Sequence, residues 1–225
     1  SSGDAYVTGG ACIGQGSADN CYVTFGSTTR SVDLRSAFIA KIDSGGSWGW
    51  LTTSVSTGGR SFGIDIKVNS ADEIVLLGET DQKIYFNGTS QYGATQGDNL
   101  FVAKFSSTGT LGWLTSVNAN TSGSGWSYPN SWAGGLALDD SDMIYVSGGC
   151  EGEVSWRSAS TTTEWSCSGD REVFVIKLST TANVQWVQTA SGASDDHPSS
   201  IVVEGDTVTI AGQVNDGGGS FTFGN

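Results

Sequence analysis

Phe101-Val102-Ala103-Lys104, followed nine residues after the lysine by Trp113 within Gly112-Trp113-Leu114-Thr115, decides how this chain reads. The string recurs. Phe38-Ile39-Ala40-Lys41 precedes Trp50 in Gly49-Trp50-Leu51-Thr52, and Phe174-Val175-Ile176-Lys177 precedes Trp186 in Gln185-Trp186-Val187-Gln188. Downstream of each Trp lies an alternating apolar stretch: Ile64-Asp65-Ile66-Lys67-Val68, Leu136-Ala137-Leu138-Asp139 and Ile201-Val202-Val203-Glu204. A fourth element ends in glycine: Tyr6-Val7-Thr8-Gly9, Val75-Leu76-Leu77-Gly78, Tyr145-Val146-Ser147-Gly148 and Thr209-Ile210-Ala211-Gly212. Asp72, Asp142 and Asp206 stand six residues before three of these glycines. The lysines lie 63 and 73 residues apart while Lys-to-Trp stays at nine, so insertions fall in the connections. That is how a stacked or radial array behaves.

Each element is short, rich in β-branched and aromatic residues, and bounded by Gly, Ser, Asn or Asp, which reads as strand. Asp43-Ser44-Gly45-Gly46, Ser106-Ser107-Thr108-Gly109 and Thr180-Thr181-Ala182-Asn183 supply turns, as do Asp139-Asp140-Ser141-Asp142 and Glu204-Gly205-Asp206. No segment sustains a capped 3.6-residue apolar period, so almost no helix is expected. Four-stranded repeats along an all-β chain predict a β-propeller, whose radial repetition leaves only short protected edges. The reading is one propeller region over 1–225, with units at about 1–68, 69–139 and 140–204 and a partial unit at 205–225. These strings resemble the SBBP type of bacterial β-propeller repeat over nearly the whole chain. They depart from it at Val173 and Gln185 and in the longer segments 85–100 and 151–173. The resemblance implies a secreted or surface-associated protein. Because the chain opens before one Gly-ending strand and stops after another, two expectations follow. It is a piece of a longer propeller, or neighbouring chains complete each other's blade by strand addition.

Composition narrows the function classes. Ten Lys plus Arg against 23 Asp plus Glu give a net charge of −13, which repels phosphate backbones and anionic lipid. Neither nucleic acid nor membrane insertion is expected, since no apolar run approaches a spanning length. Nor does Ser1 open a basic, apolar leader, so a signal peptide is expected to have been removed or to lie outside this chain. A single histidine excludes a His-rich zinc site. The four cysteines sit as local pairs, Cys12 with Cys21 and Cys150 with Cys167, without C-x-x-C spacing. Local disulfides are the favoured reading and free buried thiols the alternative; three connectivities remain open. Disulfides imply an oxidising, extracellular or cell-surface setting, and the sequons at Asn87 and Asn120 make both candidate glycosylation sites.

The candidate binding residues are aromatic. Trp50, Trp113 and Trp186 hold equivalent repeat positions and read as core. Trp126, Tyr128 and Trp132, in Trp126-Ser127-Tyr128-Pro129-Asn130-Ser131-Trp132, read as a glycan or protein contact segment, with a locally packed insertion as the alternative. Trp156 and Trp165, inside the Cys150 to Cys167 loop, come second. Asp139, Asp140 and Asp142 form an acidic turn that supplies oxygens for calcium at most weakly, because no EF-hand or nonapeptide pattern is present. Otherwise no cofactor is expected. Asp195-Asp196-His197 reads as a solvated loop; with no G-x-S-x-G elbow in the chain, an enzyme is not expected. The reading is thus a non-enzymatic extracellular structural or adhesive surface module, on its own or as a subunit of a larger assembly or filament, partnered by itself or other surface proteins. The alternative is a carbohydrate-binding module.

Overall fold

The computed structural model describes residues 3–12, 21–32, 35–56, 59–81, 83–86, 89–92, 99–119, 132–158, 161–192, 195–215 and 222–223. Those residues are all-β, with no helix among them. The chain opens with β1 (Ala5–Ala11), a small hairpin of β2 (Cys21–Phe25) and β3 (Thr28–Val32), then β4 (Ser36–Ile42) and β5 (Trp48–Ser56). Next come β6 (Ser61–Val68), β7 (Ile74–Thr80), β8 (Ile84–Phe86), β9 (Thr89–Tyr92), β10 (Asn99–Phe105) and β11 (Leu111–Ala119). The remainder comprises β12 (Trp132–Leu138), β13 (Ile144–Arg157), β14 (Thr162–Leu178), β15 (Val184–Ser191), β16 (His197–Glu204), β17 (Thr207–Gln213) and β18 (Thr222–Phe223). Every described ladder is antiparallel. Strands pair in the orders β6–β7–β10–β11 and β12–β13–β14–β15, with β1–β4–β5 before them and β16–β17 after.

One turn design makes these hairpins. In 43–47, 69–73, 106–110, 139–143 and 179–183, the fourth residue's N–H donates to the carbonyl of the first, and the first N–H to the carbonyl of the fifth. The first side chain (Asp43, Asn69, Ser106, Asp139 or Ser179) accepts from the third and fifth N–H groups. The fourth residue is left-handed: Gly46, Asp72, Gly109, Asp142 and Ala182 have φ between 56° and 82°. This is a three-residue loop with a bulge at the left-handed position, and a short polar residue at its start supplies local acceptors. The acidic turn is therefore one of five equivalent turns.

β6, β12 and β16 share a second irregularity. The register shifts between Gly63 and Asp65 on β6, Ala133 and Gly135 on β12, and Pro198 and Ser200 on β16. Ile66, Leu136 and Ile201 are thereby equivalent, facing Leu76, Val146 and Ile210. This moves the sequence alignment of β6 by two residues, since Ile64 falls at the bulge, which hydrophobic alternation does not reveal. Among the described residues, three apolar clusters fill the interior. One centres on Ile39, Phe86, Phe101 and Phe105, the second on Leu100, Val117, Trp156 and Phe174, and the smallest on Tyr145, Val175 and Ile201.

The separate sheets expected from the repeats are joined. The segments 85–100 and 151–173, read as loop insertions, carry strands that pair backwards. Ser54 on β5 faces Phe86 on β8, and Val117 on β11 faces Trp156 on β13. The third case is Ala190 on β15 facing Phe223 on β18. Both expected disulfides form. Cys12–Cys21 and Cys150–Cys167 have Cα separations of 6.1 and 6.0 Å. The second lies in the core where β13 and β14 change register, between Cys150 and Gly152.

Candidate functional site

The chain's most repeated chemistry lies where successive ladders meet. Trp50 on β5 reaches across to the 106–110 turn, where its Nε1 donates to the Ser107 carbonyl at 2.9 Å. Its ring covers Gly109 so closely that a Cβ there would lie 2.8 Å from it. Thr52 Oγ1 donates to the Gly109 carbonyl. One ladder further on, Trp113 Nε1 donates to the Thr180 carbonyl at 3.2 Å, in the equivalent turn 179–183. These tryptophans are half-buried, with the ring in the joint and an edge in water. They pack against the core clusters from the rim, where the sequence reading had placed them inside.

Carboxylates complete the joint. Among the described residues β12 pairs with β13 alone, and an unpaired strand edge must satisfy its N–H groups elsewhere. Glu79 of β7 accepts from the Ala133 N–H at 2.7 Å, and Asp65 of β6 from the Leu136 N–H at 3.0 Å. Asp142 accepts from the Ser70 N–H and hydroxyl in the preceding ladder's turn. Each repeated lysine also faces an acid: Lys41 with Asp4 at 2.7 Å, Lys104 with Glu73 at 2.8 Å and Lys177 with Asp139 at 3.4 Å. The Asp4 hydrogen bond raises the Lys41 pKa, and Tyr145, followed by Asp139, raises that of Lys177. Glu73 is held low by Lys104 and Asn69. Burial pushes Asp139 up, but hydrogen bonds from Met143, Tyr145 and Ser141 and the Lys177 charge outweigh it, so its pKa is lowered.

The candidate binding aromatics separate. Trp126 and Tyr128 lie outside the described residues, as do Asn87 and Asn120. Trp156 is fully buried and its Nε1 donates to the Ala182 carbonyl at 3.3 Å. It has no face for a ligand, because its ladder with β11 draws it into the core; the binding expectation for Trp156 is corrected to a packing role. Trp132 is half-buried and lies across its ladder partner Gly149, where a Cβ would come within 2.0 Å of the ring. His197 lies 5.2 Å from it and the Arg171 guanidinium 5.0 Å, while Arg171 also reaches Asp195 at 3.6 Å. The Trp132 ring is thus occupied by the protein itself.

Trp165 is the candidate that keeps access to a cleft. It packs on Phe174 at 5.5 Å and, with Glu153, Val154, Ser155, Glu164 and Ser166, lines a cleft of about 260 Å³ on the β13–β14 hairpin. The acidic turn presents no joint site: Asp139 and Asp142 are bonded to separate partners and Asp140 is exposed. Among the described residues, no group of three His, Cys, Asp or Glu stands together as metal ligands. The sequence reading missed Phe86, the buried core aromatic that is the counterpart of Trp156 in the other backward ladder. A signal existed, since Phe86 and Trp156 each stand eight residues after a repeat glycine, Gly78 and Gly148. Comparison with protein-family models and with curated proteins finds no match to this chain. The two disulfides are compatible with an extracellular location.

Proposed function

We propose that the chain is a non-enzymatic, extracellular β-propeller segment of the SBBP-like type, working as a structural or adhesive surface module. In this reading β6–β7–β10–β11 and β12–β13–β14–β15 are two blades, β1–β4–β5 the outer part of a third and β16–β17 the inner part of a fourth. The observation that carries it is the repeated joint: Trp50 on the Ser107 carbonyl and Trp113 on the Thr180 carbonyl, each with a backward ladder beside it. The chain invests its most regular chemistry in setting one unit against the next, as a scaffold requires. A net charge of −13 suits a soluble exterior that avoids non-specific anionic partners. Electron microscopy of the purified chain tests the architecture. Wedge-like or ring-like particles are expected, and flat two-layer slabs would refute the propeller reading.

The cleft at Trp165 favours one second reading, a carbohydrate-binding module. An indole beside carboxylates and serines offers a stacking edge and polar partners for a sugar. A glycan panel read by tryptophan fluorescence separates the two. A saturable shift lost in Trp165→Ala would favour the binding module, and no shift with any glycan favours the scaffold.

A further inference from the structure

The Trp165 cleft is built on the strand that closes the second joint. Val154 and Ser155 of β13 face Ala119 and Asn118 of β11 along one edge, and Trp165 and Glu164 of β14 along the other. β11 ends one ladder set and β13 belongs to the next, so these two residues are at once rungs between units and walls of the cleft. On the core side the hairpin is held by packing. Val154 lies with Val117, Trp156 and Cys167 in one cluster, and Trp165 packs against it. The Cys150–Cys167 bond ties the hairpin's near end.

The three indoles of this joint differ in what their N–H groups do. Trp113 donates to the Thr180 carbonyl and Trp156 to that of Ala182. Trp165 Nε1 is enclosed and has no hydrogen-bond partner. Phe174, the ring that Trp165 lies against at 5.5 Å, offers no acceptor. Buried donors are nearly always paired, so an orphan donor on a residue that lines a cleft points to an acceptor from outside the chain. The remaining lining sets the chemistry of that acceptor. Glu153 and Glu164 are exposed carboxylates placed diagonally across the hairpin, facing Ser166 and Ser155. Among the described lining residues none is basic, so an anionic ligand would meet only like charge. A neutral sugar suits them, because its hydroxyls donate to carboxylates and accept from an indole N–H. At about 260 Å³ the cleft falls just below the usual range for ligand pockets, which fits one ring rather than a buried chain.

We propose that the cleft takes one residue of a neutral sugar, the Trp165 ring turning to donate its N–H to a hydroxyl, and that occupancy is coupled to closure of the β11–β13 ladder. The inference rests on the binding-module reading of this cleft and adds its ligand class and its control. A ligand that touches both β13 and β14 fixes their register, and the same β13 residues are in register with β11. What favours one favours the other, and such coupling is reciprocal. Bound sugar clamps successive units together, and a joint drawn apart releases the sugar.

The test titrates the full chain with mono- and disaccharides of glucose, galactose, mannose and N-acetylglucosamine, and with glucuronic and sialic acids, read by tryptophan fluorescence. Amide exchange is then followed with the tightest of these. Exchange over 116–119 and 154–157 is expected to slow, by up to about a hundredfold at a hundred times the dissociation constant. The amides of β6 and β7 should keep their rates. Trp165→Phe preserves most of the packing and removes the N–H; it should bind about three- to tenfold more weakly, as for one hydrogen bond, with unliganded exchange unchanged. Glu164→Gln, at an exposed position, should weaken binding similarly and serves where the phenyl variant folds poorly. Saturable binding with unchanged exchange over 116–119, or with equal slowing everywhere, overturns the coupling and leaves the binding-module reading standing. Binding confined to the acidic sugars, or as tight in both variants as in the parent, overturns the ligand assignment. If no sugar binds, the inference and the binding-module reading fall together, and the scaffold reading is untouched.

Discussion

Replacing Trp156 tests the account of how adjacent ladders are held, because the sequence marked this residue for ligand binding and the structure buries it. The side chain is fully enclosed among Val117, Val154, Cys167 and Phe174, and its Nε1 is bonded to the Ala182 carbonyl. Truncating a buried Trp to Ala costs about 3–5 kcal/mol, and the lost hydrogen bond adds about 1 kcal/mol. Trp156→Phe retains most of the ring and should cost about 1–2 kcal/mol, chiefly the hydrogen bond and a small void. Urea unfolding followed by far-ultraviolet circular dichroism gives both numbers, provided the m-value is unchanged so that the midpoint shift reports stability. The ordering matters as much as the size, since Phe86 shows that the equivalent place accepts a phenyl ring in the neighbouring joint. A cost below about 1 kcal/mol for Trp156→Ala, a value typical of surface positions, would refute the backward ladder as a core element.

Three further perturbations follow from the same geometry. Gly78→Ala should destabilise by about 2–3 kcal/mol, because its Cβ would stand 2.3 Å from the Phe62 carbonyl oxygen and the Phe101 ring; thermal unfolding unchanged within error would contradict the register of β6 on β7. Removing the core disulfide by Cys150→Ala with Cys167→Ala should cost about 3 kcal/mol for a loop of this size, measured by urea midpoint. The pH dependence has a definite sign. Glu73 and Asp139 have folded-state pKa values below their ordinary ones, so they bind fewer protons folded than unfolded. Their contribution is present above the ordinary carboxylate range and lost as pH falls through the folded values. Lys41 and Lys177 are raised, so theirs is full below the ordinary lysine value and lost as pH climbs through the raised one. Acid titration of Glu73→Gln should show a shallower loss of stability than the parent, and an identical acid limb would remove the Lys104 pair from the account.

What the sequence made legible was local. Strand identity, the turn residues and both disulfides came through because each depends on a few neighbouring residues: alternation, a short polar side chain at the turn's start, two cysteines close in the chain. Bulges did not come through. Ile64 looks like a member of the β6 alternation, yet it is the extra residue, and only the facing strand reveals that Gly63 and not Ile64 meets Gly78. Nor does sequence show which aromatics are exposed. Trp132 and Trp165 fall in segments that break the repeat, as Trp156 does, but one lies over a glycine beside His197, one edges a cleft and one is enclosed. The difference lies in what sits across the ladder, which is long-range information.

The insertions are where that long-range information has the largest consequence. Read along the chain, 85–100 and 151–173 are interruptions of variable length between fixed hairpins, and variable connections ordinarily lie on the surface. In three dimensions each sends a strand back onto the end of the preceding ladder, placing Phe86 and Trp156 at equivalent positions in two core clusters. Their lengths differ while the anchoring residue keeps its distance from the repeat glycine. The excess length falls beyond the anchor, since Phe86 faces Thr89 but Trp156 faces Thr163, whereas Trp165 and its cleft stand on the near side of the anchor, opposite Val154. The segment thus combines an anchored ladder that holds successive units together with a tip, beyond Trp156, whose length can diverge. On the surface-module reading proposed above, changes in the hairpin tip alter what the protein touches without altering how its units join, whereas changes at the Trp165 cleft act on the joint itself.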